Sequence, residues 1–181
     1  MSSLPSLIVV SGPAGTGKTT LAHELARAVG CPAVCRDEIK EGMVHAVPGF
    51  TAASGDELTR RTLPVFFGVL ELLLRAGVTT VAEAAFQDRL WRPHLTPFLT
   101  LARVRVVHCV TDPELAARRV FRRRAQDPTR RAHADPGPDA AAYAGQLAPF
   151  DRLRLDVPSL EVDTTAGYRP SLAEVAAFAA G

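Results

Sequence analysis

The sequence predicts an α/β fold: a five-stranded parallel sheet with helices on both faces. Three observations predict it. Five short, mostly apolar runs, at 7–11, 32–35, 78–82, 104–110 and 160–163, are too brief for helices and suit strands covered on both sides. Helical patterns of apolar residues lie between them, and strands alternating with helices imply parallel pairing. The chain of 181 residues, 47% hydrophobic and 22% charged, has the size and composition of one domain with a substantial core, so a single domain over 1–181 is expected.

Each element has a local reason. The run 7–11 ends at glycines and passes into a helix over 18–29. A short strand at 32–35 leads to a helix start at 37–45, and 49–55 is a glycine-containing loop. The longest amphipathic helix spans 56–75, with Leu63, Phe66, Phe67, Leu70 and Leu73 as its core-facing stripe, and Gly77 ends it. Strand 78–82 runs into Glu83. Residues 90–102 read as a helix whose ends Pro93 and Pro97 blur. After strand 104–110, Asp112 and Pro113 open a helix as N-cap and first-turn proline. The stretch 127–139 holds three prolines and one glycine and reads as a loop or lid. Strand 160–163 and helix 171–179 complete the alternation.

Composition narrows the function classes. No run of about 18 apolar residues is present, and MSSLPSLIVVSG has neither a basic start nor a long apolar segment. A membrane span and an export signal are therefore not expected, and the expected compartment is the cytoplasm. Cys31, Cys35 and Cys109 read as reduced, mostly buried thiols, and the histidines show no ligand-like spacing. The net charge of +2 is too small for a general polyanion binder, but seven arginines crowd into 118–131. Of the 21 lysines and arginines only Lys18 and Lys40 are lysine, so each invites a reason.

Lys18 has one. Gly12-Pro13-Ala14-Gly15-Thr16-Gly17-Lys18-Thr19 matches the phosphate-loop pattern G-x4-G-K-[ST] between a strand and a helix, with Thr20 following. Such a loop turns its backbone N–H groups toward phosphate oxygens, and the helix behind it adds its positive N-terminal end. Lys18 would reach the β- and γ-phosphates of ATP, and the Thr19 hydroxyl would ligate Mg²⁺. The fold class is thus a P-loop NTPase with an Arg-rich lid over roughly 118–139.

The loop alone does not separate a kinase from a GTPase, a motor or a switch. Arg36-Asp37-Glu38-Ile39-Lys40 follows directly on the second strand, so Asp37 falls at the carboxyl end of the sheet, where open α/β folds bind ligands. A carboxylate there can accept or orient the proton of an attacking hydroxyl. With Asp37 capping the helix, Lys40 lies on its first turn and can hold an anionic or polar acceptor. Glu83, ending the third strand, is a candidate contact for Mg²⁺ or the acceptor; Arg89 follows on a loop or helix start and can line the acceptor pocket. Arg118 and Arg122, four apart, share one helix face that can meet ATP, and Arg130 lies in the stretch that can close over substrate.

The loop together with R-D-E-x-K after the second strand resembles the small P-loop kinases of the zeta-toxin, chloramphenicol phosphotransferase and polynucleotide kinase group, often described as AAA-type ATP-binding proteins. The resemblance runs from Gly12 to about Thr165. It implies that Asp37 is the general base, that Arg118 and Arg122 are lid arginines, and that Arg119 or Arg123 neighbours the adenine. It also implies a base-side loop beginning at Thr165. Arg36 and Lys40 fall where polynucleotide kinases use basic residues near their substrate.

The expected function is an ATP- and Mg²⁺-dependent transfer of the γ-phosphate to a hydroxyl of a small molecule. The alternatives are a 5′-hydroxyl polynucleotide kinase, with nucleic acid as substrate, and a nucleotide-binding switch without an acceptor. The sequence names neither the acceptor nor the oligomeric state, and no membrane partner is expected.

Overall fold

The computed structural model describes residues 4–134, 137 and 139–181. Its sheet has five parallel strands, β1 (Ser6–Ser11), β2 (Ala33–Cys35), β3 (Thr80–Glu83), β4 (Arg103–Val110) and β5 (Ser159–Asp163), in the order β2-β3-β1-β4-β5. The phosphate-loop strand β1 is central. Its alternation divides the core: Leu7 and Val9 face one side, Ile8 and Val10 the other, and all four are fully buried.

Helices α1 (Lys18–Val29) and α7 (Leu172–Ala180) cover the Ile8 face through Leu21, Leu25 and Val175. The Leu7 face is covered by α3 (Glu57–Arg75) and α4 (Asp88–Leu95). There Phe66, Phe86 and Trp91 pack edge-on or tilted, with centroids 4.9 to 6.2 Å apart, a geometry that favours the ring quadrupoles. The expected helix over 90–102 is two pieces, α4 and a 3-10 turn at Thr96–Thr100, because Pro97 starts a new turn rather than continuing the old one.

Helix α2 (Arg36–His45) follows β2 without a break. On the other side of the phosphate loop, α5 (Pro113–Gln126) starts as expected, with the Asp112 carboxylate accepting from the Leu115 N–H at 2.9 Å. Beyond it the expected loop at 127–139 is more regular. A 3-10 turn occupies Pro128–Ala132, and α6 (Ala140–Leu147), which the sequence reading missed, packs against α5 with Phe121 and Tyr143 edge to face. Asp127 and Asp139 start these segments by accepting backbone N–H bonds. Positions 135, 136 and 138 of the expected lid, and 1–3 of the expected domain, lie outside the described residues. Among the described residues no helix is long and apolar enough to cross a membrane.

One buried group gives the fold a pH dependence. Burial, followed by the charge of Arg152, pushes His108 on β4 down to about 4, with Glu161 opposing. An unfolded histidine titrates near 6.5, so between about pH 6.5 and 4 the unfolded chain binds the extra proton and stability falls as pH falls. His108→Gln should flatten that segment of a plot of urea midpoint against pH.

Candidate functional site

The site begins where β1 ends. Gly15 and Gly17 take left-handed conformations, φ 81° and 75°, that turn the loop into α1. Gly15 also lies against α5: a Cβ there would sit 2.1 Å from the carbonyl oxygen of Ala116, whereas one on Gly17 would meet only ordinary contacts with Thr164. Gly15→Ala should therefore cost about 3 kcal/mol of stability and Gly17→Ala about 1 kcal/mol, measured by denaturant unfolding. Thr16 Oγ1 donates to the Pro13 carbonyl at 2.9 Å, and Thr164 Oγ1 donates to the Thr16 carbonyl at 2.6 Å, bracing the loop from β5.

Behind the loop, Lys18 Nζ is 3.7 Å from Glu83 Oε1, and Thr19 Oγ1 donates to Glu83 Oε2 at 3.2 Å. Glu83 is buried at the end of β3. Burial raises its carboxyl above the ordinary value and Asp37 adds to the rise, while Lys18 and Thr19 oppose it. Thr19 and Glu83 present hard oxygen donors side by side, a set that fits Mg²⁺.

Asp37 does not cap α2. The helix starts one residue earlier, with Cys35 at the N-cap, which leaves the Asp37 carboxylate uncommitted to the backbone. Arg36 donates to its Oδ1 at 3.0 Å, and Arg130 lies 3.9 Å from Oδ2. Burial works against ionisation, but the charges of His133, Lys18, Arg36 and Arg130 outweigh it and hold the carboxyl below its usual range. Asp37 is thus an anion at neutral pH in a cationic setting.

Among the cavities that border the loop, two carry most of the residues expected in the site. One, of about 310 Å³, brings together Lys18, Thr19, Asp37, Arg123, Arg130 and His133. Among the described residues, the Nε atoms of Arg130 and Arg36 are buried without hydrogen-bond partners. Burial, then the neighbouring Arg130, lowers the Arg123 guanidinium, with Asp127, Glu83 and Glu41 opposing, while Arg130 also lies 3.6 Å from Glu41 and 3.9 Å from Asp127. The other cavity, of about 450 Å³, opens between Gly17, Thr20, Arg122, Thr164, Gly167 and Tyr168. Arg119 separates the two and donates to the carbonyls of Thr164 and Thr165 at 2.9 and 3.1 Å. Thr165 itself faces Thr111, with hydroxyls 3.0 Å apart.

Three expected site residues lie elsewhere. Lys40 is only 2% exposed, bonded to Asp56 Oδ2 at 2.8 Å and lying over the Phe50 ring; its ammonium joins α2 to the start of α3 and lines neither cavity. Arg118 is 63% exposed and paired with Glu114, because Ala116 and Ala117 pack inward and turn it toward solvent. Arg119 and Arg123 hold the inward face that Arg118 and Arg122 were expected to hold, although Arg122 still borders the larger cavity. Arg89 is 89% exposed beside Asp151. Tyr143 and Gln146, which line the smaller cavity, escaped the sequence reading because α6 did.

This loop on the central strand of a parallel sheet defines a P-loop nucleotide-binding fold. A family profile described as "AAA domain" matches residues 7–151, and the chain belongs to that family. A search of curated proteins gives no match. Several solved structures share the fold. A kinase candidate from Chloroflexus aurantiacus j-10-fl is 23% identical with a TM-score of 0.84, over 97% of each chain. The APS kinase of Mycobacterium tuberculosis, in complex with AMPPNP and APS, is 15% identical with a TM-score of 0.65, over 98% of each chain. A gluconokinase from Sinorhizobium meliloti 1021 is 21% identical with a TM-score of 0.56, over 97% of this chain and 90% of that one. At these identities the likeness is one of fold.

Proposed function

We propose that this protein is an ATP- and Mg²⁺-dependent phosphotransferase that moves the γ-phosphate to a hydroxyl of a small molecule. The observation that carries this reading is the single cavity in which Asp37 faces Lys18, Thr19, Arg123 and Arg130. A binding switch needs only the loop and the metal donors, and a hydrolysing ATPase would use an ionised carboxylate beside the γ-phosphate position to orient water. In a phosphotransferase the carboxylate orients the acceptor hydroxyl and takes its proton as the bond to phosphorus forms. Its lowered basicity suits a loose transition state, in which the proton departs late.

Lys18 and the loop amides would hold the β- and γ-phosphates, and Arg123 and Arg130 would stabilise the charge spread over the transferring group. Thr19 and Glu83 would hold Mg²⁺, which neutralises phosphate charge when bound. The larger cavity, with Tyr168 and Arg122 on its walls, suits the base and ribose of ATP. Relatives of the fold include an APS kinase crystallised with AMPPNP and a shikimate kinase with shikimate, which accords with a small acceptor. Of the features that suggested a nucleic-acid acceptor, Arg36 is engaged by Asp37 and the Thr59 carbonyl and Lys40 by Asp56, which leaves only the basic lid in support of that alternative.

The test is transfer from γ-labelled ATP to nucleosides, sugars, hydroxylated antibiotics and 5′-hydroxyl oligonucleotides. A labelled small molecule is the expected product. ATP hydrolysis that none of these acceptors stimulates would remove the phosphotransferase reading in favour of a switch.

A further inference from the structure

His23, Cys35 and Glu38 come from three successive elements, the middle of α1, the end of β2 and the first turn of α2, and their side chains converge. His23 Nε2 lies 2.6 Å from Glu38 Oε1 and 3.6 Å from Cys35 Sγ, and all three ligand atoms fall within 4.8 Å of one another. Among the described residues this is the one such trio of histidine, cysteine or acidic side chains. None of the three has a part in the phosphotransferase reading.

We propose that His23, Cys35 and Glu38 form a three-ligand site for a thiophilic divalent cation of the Zn²⁺ class, with the fourth position open to solvent. The donor set of one thiolate, one imidazole and one carboxylate is a borderline-soft one that Zn²⁺ accepts and Mg²⁺ does not. The spacing agrees. Bonds of about 2.3 Å to sulfur and about 2.05 Å to nitrogen, at a tetrahedral angle, set the two ligand atoms about 3.6 Å apart, which is the distance between Cys35 Sγ and His23 Nε2.

The His23 to Glu38 contact is a hydrogen bond, and it must widen by about 0.8 Å to admit a metal at the same angle. Glu38 can supply that movement, since its side chain is 46% exposed. On binding, Cys35 releases its thiol proton to solvent and becomes a sulfur ligand. The cation would tie α1, which begins with Lys18 and Thr19, to α2, which carries Asp37. This site adjoins the oxygen donors Thr19 and Glu83 without sharing a ligand with them: the Cys35 thiol also hydrogen-bonds the Glu83 carboxylate, and the two residues pair in register across the sheet.

The test needs no phosphotransfer activity. The reduced full chain, without nucleotide, is titrated with Co²⁺ and then with Zn²⁺ as competitor. The expected result is one equivalent bound, with a near-ultraviolet sulfur-to-cobalt charge-transfer band that Zn²⁺ abolishes and excess Mg²⁺ does not. Cys31→Ser should keep the band and Cys35→Ser lose it. His23→Ala and Glu38→Gln should each weaken binding at least about 10-fold; both side chains are over a third exposed, so these variants remain informative if the buried cysteine variant unfolds. A band that survives Cys35→Ser, affinity unchanged in His23→Ala and Glu38→Gln, or no cobalt bound at one equivalent would overturn the proposal and leave a plain His23–Glu38 hydrogen bond.

Discussion

Asp37→Asn is expected to lower the turnover number for phosphate transfer by about 10²- to 10⁴-fold while ATP still binds. The amide keeps the shape of the carboxylate and its neighbours but can neither take a proton nor balance the surrounding cations. Lys18, Arg123 and Arg130 would remain to hold the phosphates, so nucleotide affinity should stay level or rise. The pH profile offers an independent check. A base works while ionised, and the Asp37 carboxyl is held below its ordinary value, so the wild-type rate should persist as pH falls to about 5 and fail only below the usual carboxylate range, near 3.9. Equal turnover by wild type and Asp37→Asn would remove Asp37 as the base.

Lys40→Met should destabilise the protein by about 3–5 kcal/mol without changing acceptor affinity in the molecules that stay folded. The lost ammonium leaves the Asp56 carboxylate buried and uncompensated, since the side chains of the pair are 3% and 9% exposed. Asp56 also caps α3 by accepting from the Thr59 N–H at 2.7 Å, so its charge has a second task that persists in the variant. Adding Asp56→Asn removes the stranded charge while keeping a capping side chain, and should recover about 1–2 kcal/mol. The pair has an acid signature too. Burial disfavours the Asp56 anion, but the bonds from Lys40, Thr59 and Ala53 prevail and draw its carboxyl down to about 2. That stability is therefore full above about pH 4 and disappears as pH falls toward 2. Urea midpoints of the two variants, with acceptor KM measured alongside, separate a structural lysine from a binding one.

The difference between the two lysines marks what the sequence discloses. Lys18 belongs to a motif whose glycines and hydroxyl have one local use, and its place beside Thr19 follows from contiguous residues alone. The partner of Lys40 is 16 residues away across a loop, and nothing in the order of residues says that α2 and α3 close over both. Strands and most helices were legible because apolar periodicity is local, and the position of Asp37 at the carboxyl end of the sheet was legible because only Arg36 separates it from a strand. Helix phase at α5 was not: arginines at 118 and 122, and at 119 and 123, have the same spacing, and the choice rests on Ala116 meeting the loop at Gly15. Helix α6 was missed because its sequence, AAAYAGQL, is alanine-rich and lacks a charged face to mark a period. The trio of His23, Cys35 and Glu38 has no sequence spacing to recognise, since β2 and its turn bring the three together.

The bond from Thr164 to the Thr16 carbonyl spans 148 positions of the chain. It makes β5, an edge strand, part of the same cooperative unit as the phosphate loop, with Arg119 fastening α5 to the same point. Peeling the last strand and helix from the sheet must release the loop, and any ligand that holds the loop must resist that peeling by the same free energy. The C-terminal edge of this molecule is therefore thermodynamically linked to its occupancy, and fraying there is suppressed whenever the loop is filled.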